Sequence, residues 1–395
     1  MRSLVLFGAL SAAGLGISRE PPPPASPRLP PRPQPSAEQA RARAAELRTA
    51  YSRMPAEWPK PTLDEEAEHR ELGLLPEVKH PKDNPYSKDK AELGRALFFD
   101  GRLSGAGQAA CASCHDPDLA WADGRTTSFG HDRKPLKRNA PSVQNVAFAS
   151  SFFWDGRSDS LEAQAKAVLA NPDEMRADEK GVVGRLTQVK GYPPLFEKAF
   201  GDGTVTLDRV SQALACFQRT VIGGRSRFDS FLKGKTDALT DAEVRGLHLF
   251  RTDARCLHCH NGPTLSDGKF HDIGLSYYKR ELEDLGRFRV TNAPADVGAF
   301  RTPPLRNVGR TAPYMHNGLF ELEGLLRMYN AGGATIRKTD KFKDDPNFPT
   351  KSRFLKPLGL NTLDLADLEA FLRSLDEPHQ RMRPPAVSLP EGRPQ

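Results

Sequence analysis

Two copies of the pentapeptide Cys-x-x-Cys-His restrict what this chain can fold into more than any other feature. The spacing is the attachment signature of a c-type haem, because two nearby thiols bond to the haem vinyl groups and the next histidine ligates the iron. The motifs begin 145 positions apart, about one domain's length. The sequence therefore predicts two covalent haems, bound by Cys111, Cys114 and His115 and by Cys256, Cys259 and His260.

A zinc site is the alternative for each motif, because Cys-x-x-Cys pairs also bind zinc. Zinc would need two further ligands at each site, whereas a histidine directly after both pairs suits haem. Haem attachment uses four of the five cysteines. Cys216 is left over in a helical pattern, where a buried cysteine acts as a small hydrophobic residue. No intramolecular disulfide is expected.

The N-terminus has the pattern of an export signal. Arg2 precedes an apolar run from Leu4 to Ile17, which is short for a membrane span and suits a signal peptide. No clear cleavage site precedes Arg19, so residues 1–19 are expected to be a signal peptide or a retained N-terminal anchor. A periplasmic location agrees with c-type haem, which is attached beyond the bacterial inner membrane.

Composition and patterning favour a soluble, mainly α-helical protein. Hydrophobic residues make up 38% and charged residues 27%, while long alternating β patterns are absent and Gly and Pro are plentiful. The net charge of +7 is spread along the chain and no nucleic-acid motif accompanies it, so nucleic-acid binding is not expected. The predicted fold is mainly α, with two cytochrome c-like haem domains and long irregular loops.

The chain divides into six segments on this interpretation. Helical spacing of apolar residues predicts helices over 91–99 and 363–375, and a polar surface helix over 37–51. A weak repeat places Leu97-Phe-Phe before the first haem motif and Leu247-His-Leu-Phe before the second. The segments are the leader 1–19, a Pro-rich linker 20–36, an N-terminal extension 37–84, haem domains 85–236 and 237–380, and a disordered tail 381–395.

Further sequence blocks lie between and after the haem motifs. In this order, and together with both motifs, they resemble the bacterial di-haem cytochrome c peroxidases, the group that includes MauG. The resemblance runs from about Leu93 to Leu375. The blocks are Arg138-Asn-Ala-Pro-Ser142, Phe153-Trp-Asp-Gly-Arg157, Leu161-Glu-Ala-Gln164, Asn171-Pro-Asp-Glu-Met175, Pro-Leu-Arg306-Asn and Ala-Pro-Tyr314.

The resemblance implies roles for four residues around the N-terminal haem. His115 matches the proximal ligand of the peroxidatic haem, and Glu174 matches the catalytic glutamate that moves a proton between the peroxide oxygens. Gln164 matches a glutamine that orients the bound oxygen ligand, and Trp154 matches a tryptophan between the haems. Without the resemblance, Glu174 would be interpreted as a helix-start charge and Trp154 as core packing.

Two further ligand sets come from the same resemblance. His131 matches a loop histidine that blocks the peroxidatic iron in the resting state of many members and leaves when the second haem is reduced. A surface-loop histidine is the alternative. Asn139, Thr311 and Pro313 match the positions that hold an interdomain calcium ion through one side-chain oxygen and two carbonyls.

The ligand opposite His260 on the second iron has three candidates. Tyr329 matches the ligand position of MauG, Met328 would be the methionine of the peroxidases, and Met315 is a poorer choice. Adjacent helical residues point about 100° apart, so Tyr329 and Met328 do not share one iron. Tyr329 is the favoured ligand. A tyrosine lowers the haem potential, whereas a blocking His131 requires easy reduction of the second haem, so these two expectations conflict.

The leading functional expectation is a di-haem peroxidase that reduces hydrogen peroxide to water. A small periplasmic cytochrome c or cupredoxin would give electrons to the C-terminal haem, which passes them to the N-terminal haem. One alternative is a MauG-like oxidase that uses peroxide to oxidise a protein or organic substrate. Another is a non-catalytic di-haem electron carrier. The sequence does not decide between a monomer and a homodimer.

Overall fold

The computed structural model describes residues 29–334, 336–379, 381 and 382. The expected leader, the first part of the linker and most of the tail lie outside the described residues. The mainly α-helical expectation is confirmed, and no described helix is long and apolar enough to cross a bilayer. The helices are α1 (Ala37–Tyr51), α2 (Lys88–Phe98), α3 (Leu161–Ala170), α4 (Glu179–Gln188), α5 (Tyr192–Phe200), α6 (Leu207–Gln218), α7 (Arg227–Leu232), α8 (Asp241–Arg251), α9 (Phe288–Thr291), α10 (Leu322–Asn330) and α11 (Thr362–Ser374).

The described strands form a single antiparallel pair, β1 (Phe270–Asp272) and β2 (Ala299–Arg301). Most helix starts are fixed by a capping side chain, as expected for Ser, Thr, Asp and Asn at that position. Thr240 and Glu243 form a reciprocal capping box at α8, and Asn361 and Asp364 form another at α11. The two helices that build the C-terminal haem domain therefore begin at sites specified locally by the sequence.

The N-terminal haem domain is built on a close crossing of α2 and α6. A Cβ atom at Gly94 would lie 1.9 Å from the carbonyl oxygen of Ala213, so only glycine permits this approach. One turn further along α2, the Phe98 ring packs edge-on against Phe217 at 5.3 Å between centroids. These rings lie in a buried core that also includes α4 and α5.

The C-terminal haem domain repeats this crossing with α8 and α11. A Cβ atom at Gly246 would lie 1.9 Å from the carbonyl oxygen of Asp367. Phe250 packs against Phe371 at 5.2 Å, with the same 61° between ring planes as in the N-terminal pair. The weak sequence repeat thus corresponds to two copies of one helix crossing, each placed just before a haem motif.

The N-terminal extension packs against the C-terminal haem domain. Helix α1 has the expected bounds, but its Leu47 and Tyr51 side chains are buried in the C-terminal core. Arg32, within the expected linker, forms ion pairs with Asp253 and Asp364. Packed structure therefore begins well before residue 85, the expected start of the first haem domain.

Beyond α1, residues 59–79 cross the C-terminal domain as an irregular strap. The guanidinium of Arg251 is 1% exposed, pairs with Glu71 and donates to the carbonyl of Pro59 at 2.7 Å. Asp64 pairs with Arg255 at 2.6 Å and with Lys356 at 3.1 Å. These contacts hold the strap beside the second Cys-x-x-Cys-His motif.

Candidate functional site

A single continuous cavity of about 2190 Å³ contains both haem motifs in its walls. Sites for drug-sized ligands typically have volumes of about 300–1,000 Å³. This cavity is therefore large enough for two large cofactors, and most of its wall is apolar. Its lining comes from both haem domains and from the strap.

The first motif presents neutral groups to this cavity. Burial raises the pKa of the Cys111 thiol to about 12 and lowers the pKa of the His115 imidazole. The Nδ1 atom of His115 lies 3.2 Å from the carbonyl oxygen of Trp121. An Nδ1–H group that donates there leaves Nε2 free to ligate a metal.

The second motif repeats this arrangement. Burial raises the pKa of the Cys256 thiol to about 12 and lowers that of the His260 imidazole, whose Nδ1 lies 3.0 Å from the carbonyl oxygen of Leu265. Zinc ligation requires a further cluster of donors at each motif. Within the described chain, the first motif has no group of three close ligand atoms, and the second has Cys259 with Asp267 and His271. Neither motif has a complete four-ligand zinc site.

A buried cation supports the fit of haem in this cavity. Arg301 lies in β2 and lines the cavity, and burial lowers the pKa of its guanidinium. No acidic side chain in the described residues pairs with it. A buried charge is stable only when it is compensated, and the carboxylates of a haem would supply that compensation. Within the described chain, the Nε of Arg301 donates only to the carbonyl of Phe153, at 3.4 Å. The motifs, the space and this cation without an acidic partner together fit two covalently held haems.

The two residues predicted to assist peroxide cleavage, Gln164 and Glu174, both line the cavity. Gln164 projects from α3, and Glu174 lies on the turn that follows this helix. The amide of Asn171 donates to Oε1 of Glu174 at 2.9 Å. Burial raises the pKa of the Glu174 carboxyl group despite the opposing effects of Arg157 and Asn171. A carboxyl group in this setting can hold a proton at higher pH than a solvent-exposed one.

His131 lies beside this turn, but its imidazole is not part of the described cavity wall. Its Nε2 atom is 3.3 Å from the carboxylate of Asp132, and its backbone N–H donates to the carbonyl of Asp173 at 2.9 Å. Asp132 and Arg133 have positive φ angles of 55° and 57°. The role of His131 as a blocking ligand stays a prediction.

The three candidate ligands for the second iron differ in position. Tyr329 lines the cavity, and burial raises the pKa of its phenol, with further contributions from Cys259 and Cys256. Met328 packs against the C-terminal core and is not part of the cavity wall, whereas Met315 is. The helical geometry of α10 therefore separates the two neighbouring candidates, as their 100° offset requires.

Trp154 lies where the two haem domains meet. Its indole N–H donates to the carbonyl of Asn139 at 2.9 Å, and its ring is edge-on to His316 at 6.4 Å. His316 stacks in turn on Phe300 at 3.7 Å. Burial lowers the pKa of His316 to about 4, and its Nε2 has no partner among the described residues. Sequence reasoning did not single out His316 or Arg301, because neither belongs to a recognisable spacing pattern.

The three predicted calcium ligands, Asn139, Thr311 and Pro313, all line the cavity. The Asn139 amide nitrogen donates to the carbonyl of Arg125 at 2.8 Å, which leaves its Oδ1 oxygen for a cation. A side-chain oxygen with two backbone carbonyls is a suitable partial ligand set for calcium. The calcium site stays a prediction.

Comparison with known proteins decides the family. Residues 88–237 match the family of di-haem cytochrome c peroxidases. The methylamine utilization protein MauG of Methylorubrum extorquens is 41% identical over 318 residues, which cover 80% of this chain and 84% of the relative. This chain belongs to the di-haem cytochrome c peroxidase and MauG family. Membership implies two c-type haems and oxidoreductase chemistry.

Other family members show how broad the similarity is. The cytochrome c551 peroxidase of Nitrosomonas europaea is 38% identical over 235 residues, which cover 59% of this chain and 70% of that relative. A solved MauG-like protein associated with microbial copper homeostasis aligns with a TM-score of 0.70 at 34% identity, covering 77% of this chain and 93% of the other. The family thus includes relatives named as peroxidases and relatives named as MauG.

Proposed function

We propose that the protein is a di-haem peroxidase that reduces hydrogen peroxide to two water molecules, using two electrons and two protons. The bound haem irons supply the redox chemistry. The observation that carries the proposal is the partly buried carboxyl group of Glu174, whose pKa burial raises, on the same cavity wall as Gln164. A purely electron-carrying protein has no use for a carboxyl group with a raised pKa on the wall of the haem cavity, so Glu174 opposes the carrier alternative.

Glu174 would act as the acid–base group. General acid–base catalysis is most effective when the pKa of the group lies near the working pH. Burial shifts the pKa of Glu174 in that direction. Because Asn171 holds Oε1, the other carboxylate oxygen is the one available to take a proton from the inner peroxide oxygen and return it to the outer one.

Gln164 would orient the peroxide, because a side-chain amide carries both a hydrogen-bond donor and an acceptor. It projects from the helix that leads into the Glu174 turn, so the two side chains are positioned by one continuous segment. In this proposal peroxide is held by Gln164 while Glu174 moves the proton.

The C-terminal site would receive electrons and pass them on. Tyr329 and His260 would hold the iron of the C-terminal haem, an assignment supported by the place of Tyr329 on the cavity wall and by the absence of Met328 from that wall. Calcium at Asn139, Thr311 and Pro313 would link the domains at the point where Trp154 is anchored. His131 would block the N-terminal iron after a movement of its loop, because its imidazole contacts Asp132 and is not part of the described cavity wall.

The proposed setting is the periplasm, with a small cytochrome c or cupredoxin as electron donor. The N-terminal apolar run and the two c-type haem motifs support export. A homodimer is compatible with the family.

A MauG-like oxidase is the second candidate, and Tyr329 is the residue that favours it. A tyrosine ligand lowers the haem potential, which makes the C-terminal haem a poorer acceptor of donor electrons. In such an enzyme peroxide would oxidise a protein or organic substrate. The two candidates therefore differ in whether an external donor must reduce the protein before peroxide reacts.

The deciding experiment measures peroxide consumption by the di-haem protein after reduction by one electron and in the fully oxidised form. Rapid consumption only after reduction, with water as product and oxidised donor formed at two equivalents per peroxide, supports the peroxidase. Rapid reaction of the fully oxidised protein, followed by oxidation of an added phenol, supports the oxidase. Absence of peroxide consumption in both forms would refute both proposals.

A further inference from the structure

Asn171 organises the turn that carries Glu174. It ends α3, where its backbone N–H donates to the carbonyls of Ala167 at 3.1 Å and Val168 at 3.3 Å. Its own carbonyl oxygen accepts the backbone N–H groups of Glu174 at 3.2 Å and Arg176 at 2.8 Å. Both backbone polar groups of Asn171 are therefore used to join the helix to the turn.

The side-chain amide of Asn171 has one possible orientation in this turn. One end of the amide lies 3.0 Å from the backbone nitrogen of Asp173. Because a backbone N–H can only donate, the amide oxygen must face Asp173. The amide nitrogen then faces Oε1 of Glu174, 2.9 Å away. The fold thus fixes a hydrogen-bond donor beside one of the two oxygens of the Glu174 carboxyl group.

This fixed donor makes the two oxygens of the Glu174 carboxyl group unequal. An amide N–H cannot accept, so a proton on Oε1 would meet another donor, and the titrating proton is directed to Oε2. The bond to Oε1 also stabilises the carboxylate form and opposes the effect of burial. The charged groups that act on Glu174 are Arg157, which lowers its pKa, and Asp173, which raises it.

The geometry of the turn alone does not require asparagine at position 171. Aspartate and serine also accept a hydrogen bond from a backbone N–H two residues further on. Aspartate would place a second carboxylate oxygen against Glu174, and serine lacks the amide nitrogen. Of these three residues, asparagine is the one that both closes the turn and donates to the Glu174 carboxyl group.

We propose that Asn171 is a positioning residue for peroxide cleavage: its amide nitrogen holds Oε1 of Glu174, so that Oε2 is the atom that handles the proton. The inference rests on the proposed function, because it names the oxygen that acts there. Oε2 takes a proton from the inner peroxide oxygen and returns it to the outer one. The O–O bond breaks with the two donor electrons of the proposed function, and the outer oxygen leaves as water. Glu174 ends in its starting state, and Asn171 exchanges no proton.

The first test titrates the Glu174 carboxyl group in the di-haem protein with no peroxide present. Infrared difference spectra recorded against pH, with isotope-labelled glutamate, follow its C=O band, which is identified by its loss in Glu174→Gln. Asn171→Ser keeps an acceptor for the backbone N–H and removes the donor, so the titration midpoint should rise. Asn171→Asp puts a carboxylate in the same place. Its midpoint should rise further, with a fall of about tenfold or more in the proton dissociation constant.

A matched control adds the same charge elsewhere. Asn292 is the residue that ends α9, and it is exposed. Asn292→Asp should leave the infrared midpoint of Glu174 unchanged. A midpoint that rises equally in Asn292→Asp and Asn171→Asp would show that the position of the new charge is immaterial, and would overturn the proposal.

The pH dependence of peroxide turnover gives a second readout. The acidic limb of kcat should move to higher pH in the order wild type, Asn171→Ser, Asn171→Asp. Near neutral pH, kcat in Asn171→Ser should fall by on the order of tenfold, because the acid–base group is less well oriented, and KM for peroxide should change little. If Asn171 only builds the turn, turnover falls in both variants and the limb stays in place, which contradicts the proposal.

The infrared titration separates this inference from the proposed function. Unchanged midpoints in both Asn171 variants overturn the role of Asn171, even in a protein that consumes peroxide. Failure of the wild-type protein to consume peroxide removes the proposed function, whereas raised midpoints in the variants still support the control of the Glu174 proton by Asn171. If Asn171→Asp does not fold, Asn171→Ser decides alone: a raised midpoint supports the proposal, and an unchanged or lowered one overturns it.

Discussion

The two haem motifs share one scaffold, and different side chains line the cavity around them. Gly94 and Gly246 allow the same close helix crossing in each domain. The N-terminal site then places Glu174 on the cavity wall, and the C-terminal site places Tyr329 there. The scaffold therefore accounts for haem attachment in both domains, whereas the difference in function depends on segments outside the crossing.

Burial raises the pKa of both Glu174 and Tyr329, but the chemical consequence differs. Burial raises the pKa of Glu174 above its ordinary value, which favours a role for this carboxyl group as a proton carrier. Burial also raises the pKa of the Tyr329 phenol, which favours its neutral form. A bound metal ion reverses this preference by stabilising the ionised form of its ligand. The same physical effect therefore prepares one site for proton transfer and makes the other depend on iron.

Of the predicted substitutions, replacing Glu174 should have the largest effect, and this effect is on peroxide turnover. Glu174→Gln keeps the shape of the side chain and removes its acid–base capacity, so peroxide turnover should fall by about 10²–10⁴-fold. The measurement is steady-state peroxide reduction with a small-molecule electron donor. Glu179→Gln, an exposed glutamate in the first turn of α4, is the matched control and should retain full activity.

The direction in which peroxide turnover changes with pH also tests the role of Glu174. The proton-accepting form of Glu174 is the carboxylate, so turnover should rise with pH through its pKa, which burial places above the ordinary value. The Gln variant should lose this acidic limb. Full turnover by Glu174→Gln, or an unchanged acidic limb, would remove Glu174 from the mechanism.

Replacing Tyr329 tests what distinguishes the C-terminal site. Tyr329→Phe removes the phenol oxygen, so the spectrum of a single haem should change. The reduction potential of that haem should rise by on the order of 0.1 V, within the roughly 0.8 V range that axial ligands control. Met328→Leu is the adjacent control and should change neither property. A sulfur-to-iron charge-transfer band lost in Met328→Leu would identify methionine as the ligand instead.

The sequence predicts the haem sites better than it predicts their surroundings. Cysteine and histidine spacing is a covalent requirement and remains visible without any tertiary structure. The weak sequence repeat around Phe98 and Phe250 also reflects the fold, because these two residues occupy equivalent positions in the two helix crossings. Such features depend on neighbours along the chain, which is the kind of information that a single sequence contains.

Other features depend on contacts between distant residues and left no local pattern. Helix α1 was expected on the surface because it is polar, yet Tyr51 meets Arg251 at the centre of the C-terminal core. His316 and Arg301 acquire their importance only when the two domains meet. Their surroundings could not be predicted from composition or spacing.

The glycine crossings test whether the two scaffolds are equivalent. Gly94→Ala and Gly246→Ala each put a methyl group against a backbone carbonyl, so the helices must separate. We expect each variant to lose about 3 kcal/mol of unfolding free energy, at the upper end of typical overpacking costs. Denaturant unfolding monitored at the haem absorption band measures the loss, and hydrogen exchange assigns it to one domain.

Two other helical glycines provide matched controls. Gly184 in α4 and Gly324 in α10 have no atom within 4 Å of a built Cβ. Alanine there should stabilise the protein by about 0.5–1 kcal/mol, because alanine is the better helix former. Equal effects at Gly94 and Gly184, or at Gly246 and Gly324, would show that the crossings do not require close backbone contact.

The smallest predicted effect concerns a buried acid in the C-terminal domain. Burial raises the pKa of Asp272 to about 6, and its Oδ2 atom has no hydrogen-bond partner in the described chain. The folded state therefore binds more protons than the unfolded state between the ordinary pKa and about 6. The unfolding free energy should fall as pH rises through this window. Asp272→Asn should stabilise the protein by about 1–2 kcal/mol at pH 8 and have little effect at pH 3.5. Asp340→Asn, at an exposed position, should show no such dependence, and an equal pH response in both variants would locate the titrating group elsewhere.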